Sequence, residues 1–350
     1  MTPESAAVAY SGVVAALGAA LALVLVVPSL RRAGWRLLGL AIVCGGEVVV
    51  LGLITDAAGA PYLIDLAAAA AVVLTVLLAA ATAAGAGLRM RWIVPAVWGV
   101  VVLPVTALGP LLTTAGCRGT PCELLDFGGA LPLAIAPASF VLLALLMPRS
   151  RRNDLPAPGT RASVLLGGAL WAAFVVWIAA MEGLVDAYTP LLLVAGGVGP
   201  GVGAAVWLIV DRLRRSARPP ARSLALGALA GIVATMAGAA TVAIPWSVAV
   251  AVLAGVISAV IARGRTRSVA RAGWVVLAAG LIGLVAPVVS GDAIGVLFTA
   301  QIEAVPVPLV AAGAVAGFAA LVSLPVWLGI RFGSRSPAGV PSGWAIPDSN

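Results

Sequence analysis

From Tyr188 to Val210 the chain reads YTPLLLVAGGVGPGVGAAVWLIV, from Asp211 to Arg222 DRLRRSARPPAR, and from Ser223 to Gly231 SLALGALAG. The first stretch is long enough to cross the hydrocarbon of a bilayer, which takes about 20 apolar residues. The second concentrates five arginines, at 212, 214, 215, 218 and 222. The third begins a new apolar run, with Gly227 and Gly231 one turn apart, as Gly199 and Gly203 are in the run before it. A span, a basic loop and a second span with small residues at helical spacing form the unit of a helical membrane bundle. Small-xxx-small faces are what lets helix backbones approach closely in lipid.

The whole composition agrees with that unit. Of 350 residues, 62% are hydrophobic and 10% charged, and mean hydropathy is +1.14. Soluble domains carry roughly 25% charged residues, so the soluble class is excluded. All 21 basic residues are arginines lying in short segments between apolar runs, which argues against a nucleic-acid binder. Runs of spanning length predict helices over approximately 8–29, 35–55, 64–87, 92–113, 127–147, 162–181, 188–210, 223–242, 244–262, 272–291 and 304–330. Between the eighth and ninth, only a few residues around Ile244 and Pro245 are free to turn. No cleavable leader is expected, because the first run is long, follows Glu4 and precedes Arg31 and Arg32.

Charge placement orients the bundle. Arginines follow the odd-numbered spans at 31, 32 and 36, at 89 and 91, at 149–161, 212–222 and 263–271, and at 331 and 335; Arg118 alone falls on the other side. Asp56, Asp65, Glu123, Asp126, Glu182, Asp186, Asp292 and Glu303 fall in the opposite loops. The positive-inside rule then gives eleven spans with the N-terminus outside and the C-terminus in the cytoplasm. Residues 1–333 are read as one transmembrane domain and 334–350 as a short disordered cytoplasmic tail. The absence of lysine beside abundant Ala, Gly and Arg suggests GC-rich coding and a bacterial cell membrane.

Candidate functional residues are few. An ionisable side chain within lipid is costly. Glu47 lies within the second span, where it can line a pathway, hold a coupling ion, cap a neighbour or reach the outer interface. Asp126 precedes Phe127-Gly128-Gly129 at the start of the fifth span, where a carboxylate can accept hydrogen bonds from first-turn amides. Pro104, Pro110, Pro132, Pro137, Pro190, Pro200, Pro245 and Pro287 are expected to bend or interrupt spans. Trp98, Trp171, Trp177, Trp207 and Trp274 are read chiefly as interfacial anchors, with a pathway lining as the alternative. Cys117 and Cys122 are close enough in sequence for a bridge on the oxidising side, and whether they form one stays open. There is no histidine, no metal-ligand cluster and no nucleophile–base motif, so no enzyme, cofactor or metal is expected.

Several strings taken in order resemble the ammonium transporter family, the Amt/Mep/Rh channels, over about residues 8–331. Arg89-Met90-Arg91-Trp92 is similar to the family's Glu-Arg-Met-Arg-Phe at the end of the third helix, with Leu88 in place of the Glu. Asp126-Phe127-Gly128-Gly129 resembles its Asp-Phe-Ala-Gly-Gly. Leu170-Trp171 through Trp177 follows the spacing of its aromatic sixth helix. Arg214-Arg215, Ser223 and Gly227 to Ala234 resemble its seventh loop and eighth helix, and Gly280-Leu281-Ile282-Gly283 its tenth.

The resemblance implies an eleven-helix protomer with pseudo-twofold inverted five-helix repeats, a homotrimer, and one narrow pore in each protomer. The family's two pore histidines correspond to Ala134 and Val276 here, its outer gate Phe to Trp177, and the Trp and Ser of its outer recruitment site to positions near Leu108 and Met181. Asp126, an outer-mouth support in the family, is kept. Without histidines the proton relay is gone. The apolar tube that remains is closed by dewetting or passes only small neutral molecules such as ammonia. The sequence therefore reads as an ammonia channel lined by Leu108, Ala134, Trp177 and Val276, taking a small neutral or weakly basic solute. The alternatives are a non-transporting sensor or structural relative, and an ion-coupled secondary transporter built on Glu47. The arginine-rich face can also meet anionic lipid or a cytoplasmic regulatory protein.

Overall fold

The computed structural model describes residues 73, 76–77, 88–106, 124–143, 160–182, 185–214, 220–263, 268–292 and 294–333. The first two predicted spans, Glu47, Leu108, the Cys117/Cys122 pair and the tail 334–350 lie outside the described residues, as does nearly all of the third span. Within them the chain is helical: α1 Leu88–Val97, α2 Ala136–Leu143, α3 Thr160–Ala180, α4 Thr189–Leu213, α5 Pro220–Met236, α6 Ile244–Ile261, α7 Ser268–Ser290, the short α8 Val296–Thr299, and α9 Pro306–Gly333. A helix thus falls in each predicted span from the fourth to the eleventh. Of these, α4, α6, α7 and α9 are long and apolar enough to cross a membrane. The chain is a multi-pass membrane protein.

Two wide turns precede or extend the shorter helices. Trp98–Val102 continues α1 and Leu131–Ile135 leads into α2, both with π geometry. Such turns insert one extra residue into the helical ladder and often mark functional sites. Hydroxyls bond carbonyls in these wide turns: Thr106 Oγ1 donates to Val102 O at 2.8 Å and Ser139 Oγ to Ile135 O at 2.9 Å. The prolines divide into two kinds. Pro200 and Pro287 lie inside α4 and α7, whereas Pro190 and Pro245 occupy the first turn of α4 and α6. At that position the missing N–H is one of the helix's orphans anyway, so these two start helices instead of bending them.

The tightest contact is the seam between α4 and α5. A Cβ on Gly203 would meet the Gly227 carbonyl, and one on Gly231 would meet the Gly199 carbonyl and come within 3.0 Å of Pro200 Cα. The two small-residue faces read from the sequence therefore meet each other, backbone against backbone. α7 packs on α5, α6 and α2, and α9 packs on α2, α7 and α1. Two apolar cores result. The larger runs through α3 to α7 and the wide turn before α2. The smaller is built on Trp98, Phe140 and Trp327 between α1, α2 and α9.

The turn between the eighth and ninth spans lies before Ile244, over 237–243, not around Ile244 and Pro245. Val242 makes an isolated antiparallel bridge with Gly291, and the Asp292 N–H donates to Thr241 O at 2.7 Å. One end of α7 is thereby tied to the α5–α6 turn.

Candidate functional site

The site is best built upward from Asp126. Residues 124–129 are not helical, and α2 is reached only through Ala130 and the wide turn, so the predicted fifth span begins about four residues late. Asp126 reaches across that gap. Its Oδ1 accepts from the Ala130 N–H and its Oδ2 from the Leu131 N–H at 2.8 Å. A carboxylate placed there satisfies two of the free donors of a helix start and complements its positive dipole end. The strand of backbone around it is held from the other side by α5. Phe127 N–H donates to Ala237 O at 3.1 Å and Gly128 N–H to Met236 O at 3.0 Å. A Cβ on Gly128 would collide with that Met236 carbonyl, and Gly129 adopts φ 71°, so both glycines are required here.

Ala134 lies in the wide turn eight residues after Asp126 and is 1% exposed. Val276 is half-buried on α7 and packs against the same core. Its place on α7 follows from helical spacing. A Cβ on Gly273, three residues before it, would come within 3.4 Å of Val141 and Leu142, and one on Gly280, four residues after it, would meet Ile135. Residues three and four apart share a helix face, so Val276 lies on the side of α7 that meets the wide turn and α2. The structure thus brings both predicted histidine-equivalent positions to one helix interface, and makes it apolar.

Trp177 is buried on α3, its ring 6.1 Å from that of Phe174. Among the described residues its indole N–H has no hydrogen-bond partner. Leaving a buried donor unpaired costs about 1–3 kcal/mol, and such groups in native structures usually have a functional or ligand-related reason. One turn on, Met181 is also buried, just past the C-terminal end of α3. Two carboxylates beyond it, Glu182 and Asp186, are tied to the start of α4. Thr189 Oγ1 donates to Glu182 Oε2 at 3.2 Å, and the Asp186 N–H donates to Thr189 Oγ1 at 2.9 Å. The Glu182 carboxyl is held above its ordinary range, first by partial burial and then by the Asp186 charge, while the Thr189 hydroxyl acts in the opposite direction.

Sequence reasoning misjudged several tryptophans and missed one carboxylate. Trp98 and Trp207 are wholly buried, and Trp177 nearly so, which removes them as interfacial anchors. Trp98 Nε1 donates to Ser323 Oγ at 3.1 Å. Trp207 Nε1 donates to Asp211 Oδ2 at 3.1 Å, and the same oxygen accepts from Ser223 Oγ at 2.6 Å. Trp274 is 37% exposed and fits an anchor. Asp211 was read as the first residue of an arginine-rich loop, but α4 runs on to Leu213 and buries it against α5. The Ser223 hydroxyl twelve residues away was its only signal. Among the described residues no cluster of His, Cys, Asp or Glu is disposed to hold a metal.

The architecture has clear counterparts among solved structures. The N240A mutant of Candida albicans Mep2 superposes with a TM-score of 0.77 at 15% identity, over 94% of this chain and 84% of that one. The chain shares the ammonium-transporter fold. Saccharomyces cerevisiae Mep2, which has the same fold, superposes with a TM-score of 0.66 at 17% identity, over 77% of this chain and 66% of that one. A structure described as a sensor Amt protein gives 0.72 at 15% identity, covering 93% of each chain. No protein-family model matches the sequence, and no curated protein does. The ammonium-transporter fold is therefore retained here at an identity where side chains at the site are free to differ, and at Ala134 and Val276 no histidine stands.

Proposed function

We propose that this chain is an ammonium transporter-like channel that passes neutral ammonia, or another small neutral solute, through an apolar path lined by Leu108, Ala134, Trp177 and Val276, with Asp126 supporting the outer mouth. In this reading the protomer has eleven spans with its N-terminus outside, works as a homotrimer in a bacterial cell membrane, and performs no covalent chemistry. The observation that carries it is the apolar character of the Ala134–Val276 interface, at the positions the resemblance gives to the paired histidines.

The chemistry of the path favours a neutral passenger. Ammonium has only donors, and two aliphatic side chains offer it no acceptor, so its desolvation goes uncompensated. Ammonia has a lone pair. The unpartnered Trp177 N–H is a donor suited to it and of no use to ammonium.

A second reading is a non-transporting sensor that keeps the scaffold. It is favoured by the match to a protein described as a sensor over 93% of both chains. An ion-coupled carrier using Glu47 is the third, and Glu47→Gln would abolish pH- or ion-driven uptake only in that case.

The deciding measurement is stopped-flow alkalinisation of proteoliposomes facing an inward ammonia gradient, against empty vesicles and Ala134→Trp. Alkalinisation faster than in empty vesicles, abolished by Ala134→Trp, is the expected result. Since a bulky residue at a 1%-exposed position can misfold the protein, Trp177→Phe is measured alongside. It keeps an aromatic ring, though a smaller one, deletes the donor, and should slow the flux severalfold. A folded protein that conducts no faster than empty vesicles overturns the channel reading in favour of the sensor.

A further inference from the structure

The segment joining α7 to α9 has properties that neither the fold nor the proposed pore uses. It connects two membrane-crossing helices, so it lies at one membrane surface. Its apolar side chains face outward: Ile294 is 45% exposed, Leu297 54%, Phe298 56% and Ile302 71%. Leu297 and Phe298 lie on the short helix α8, and Ile294 and Ile302 flank it on either side. Its polar residues, Asp292, Gln301 and Glu303, are exposed as well. An outward row of large apolar side chains this long is costly in water.

The backbone of this segment satisfies itself. Phe298 N–H and Thr299 N–H both donate to Gly295 O at 2.9 Å, and Ala300 N–H donates to Val296 O at 2.8 Å. Ala300 then turns at φ 59°, in the left-handed region. Ile302 N–H donates to Ala300 O and Val305 N–H to Ile302 O, both at 3.1 Å, closing a 3-10 turn. Internal pairing of this kind is what a segment needs in order to lie where water is scarce. Further along, α9 also turns large apolar side chains outward, Leu309 at 47% and Val310 at 69% exposure. That face belongs to a spanning helix and meets acyl chains.

We infer that residues 294–305, following Asp292, form an interfacial element seated in the bilayer surface, with Leu297, Phe298 and Ile302 in the acyl boundary and Asp292, Gln301 and Glu303 toward water. The partner is the lipid surface itself. Together with Asp292 the segment contains no Lys or Arg and two acidic residues, so seating rests on apolar burial alone and needs no anionic headgroup.

The test uses the full chain in nanodiscs, which leave both faces open. Single cysteines at Leu297→Cys, Phe298→Cys, Gln301→Cys and Asp292→Cys carry an environment-sensitive fluorophore, and the parent protein, labelled in parallel, gives the background of its own cysteines. In phosphatidylcholine discs, lipids with a nitroxide near the headgroup should quench positions 297 and 298 at least twofold more than 292 and 301. Aqueous iodide should give the reverse order. Adding a quarter phosphatidylglycerol should leave both patterns unchanged. Equal quenching at all four positions, or stronger iodide quenching at 298, overturns the inference. Protection of 297 and 298 from both quenchers also overturns it, and assigns the row to a protein–protein contact instead. Variants at 292 and 301 lie on the polar side, so they report the pattern even if one apolar substitution disturbs folding.

Discussion

Two helix contacts in this molecule solve the same problem by opposite means. Between α4 and α5 the backbones touch: Gly199, Gly203, Gly227 and Gly231 leave no room for a single Cβ. Between α7 and the wide turn before α2 the spacing is set by side chains, with Ile135, Ala134, Val141 and Val276 at the interface. Each contact is also finished by a buried or half-buried carboxylate at a helix end. Asp126 is held by the amides of the helix it starts. Asp211, on the last turn of α4, faces the unfavourable end of its own helix dipole. It is held instead by two side-chain donors, one of them Ser223 in the first turn of α5. A backbone-to-backbone seam leaves no freedom for a path between the helices. An interface spaced by side chains can be tuned by them, and it is there that the predicted path residues Ala134 and Val276 fall.

The contrast can be broken most forcefully at the seam. Gly231→Leu drives a side chain into the Gly199 carbonyl and should cost about 3 kcal/mol or more, the upper range for overpacking. The thermal midpoint of detergent-purified protein measures it, and an unchanged midpoint would mean the two backbones are not in contact. Next comes Asp211→Ala, which leaves the Trp207 N–H and the Ser223 hydroxyl buried and unpaired, at a cost of about 3 kcal/mol. Asp211→Asn should recover part of that, since its amide oxygen still accepts. Asp126→Ala removes two amide partners at a helix start and should cost about 2 kcal/mol. Because the loss falls beside Ala134, ammonia flux should drop in Asp126→Ala but hold in Asp211→Ala once both are compared at a temperature where they stay folded. Equal flux losses would erase the distinction drawn between the two contacts. The smallest effect belongs to Gly280→Ala. Its new methyl crowds the far end of Ile135, a flexible group, and meets Val233 only at ordinary contact distance, so it should cost under about 1 kcal/mol.

Much of the bundle was legible before any coordinates. The apolar runs placed the helices, and α3, α4, α6, α7 and α9 fall within a few residues of their predicted limits. The errors lie where local pattern carries no information about neighbours. The predicted fifth span absorbed residues 127–129 because they are apolar or glycine, yet they form a turn bonded to Met236 and Ala237 at the end of α5. Tryptophans were assigned to the interface by residue type, whereas Trp98, Trp177 and Trp207 are buried by packing. Asp211 sat one residue past a predicted boundary, and helix limits are the least reliable part of any periodicity argument.

What the sequence determined alone is what lipid demands of any chain: apolar runs of spanning length, charge confined to the segments between them, and backbone groups paired within helices. These are one-dimensional constraints, and a single pass along the residues reads them. Only the tertiary structure decided which faces meet. It joined Gly199 and Gly203 to Gly227 and Gly231 and brought Asp126 onto the amides of Ala130 and Leu131. It also put Ala134 and Val276 into one apolar core and left the Trp177 N–H buried without a partner among the described residues. In a membrane the hydrophobic effect does not choose among helix faces, because lipid is as apolar as leucine. Close packing and the pairing of a few polar groups make that choice, and both exist only between segments distant in sequence.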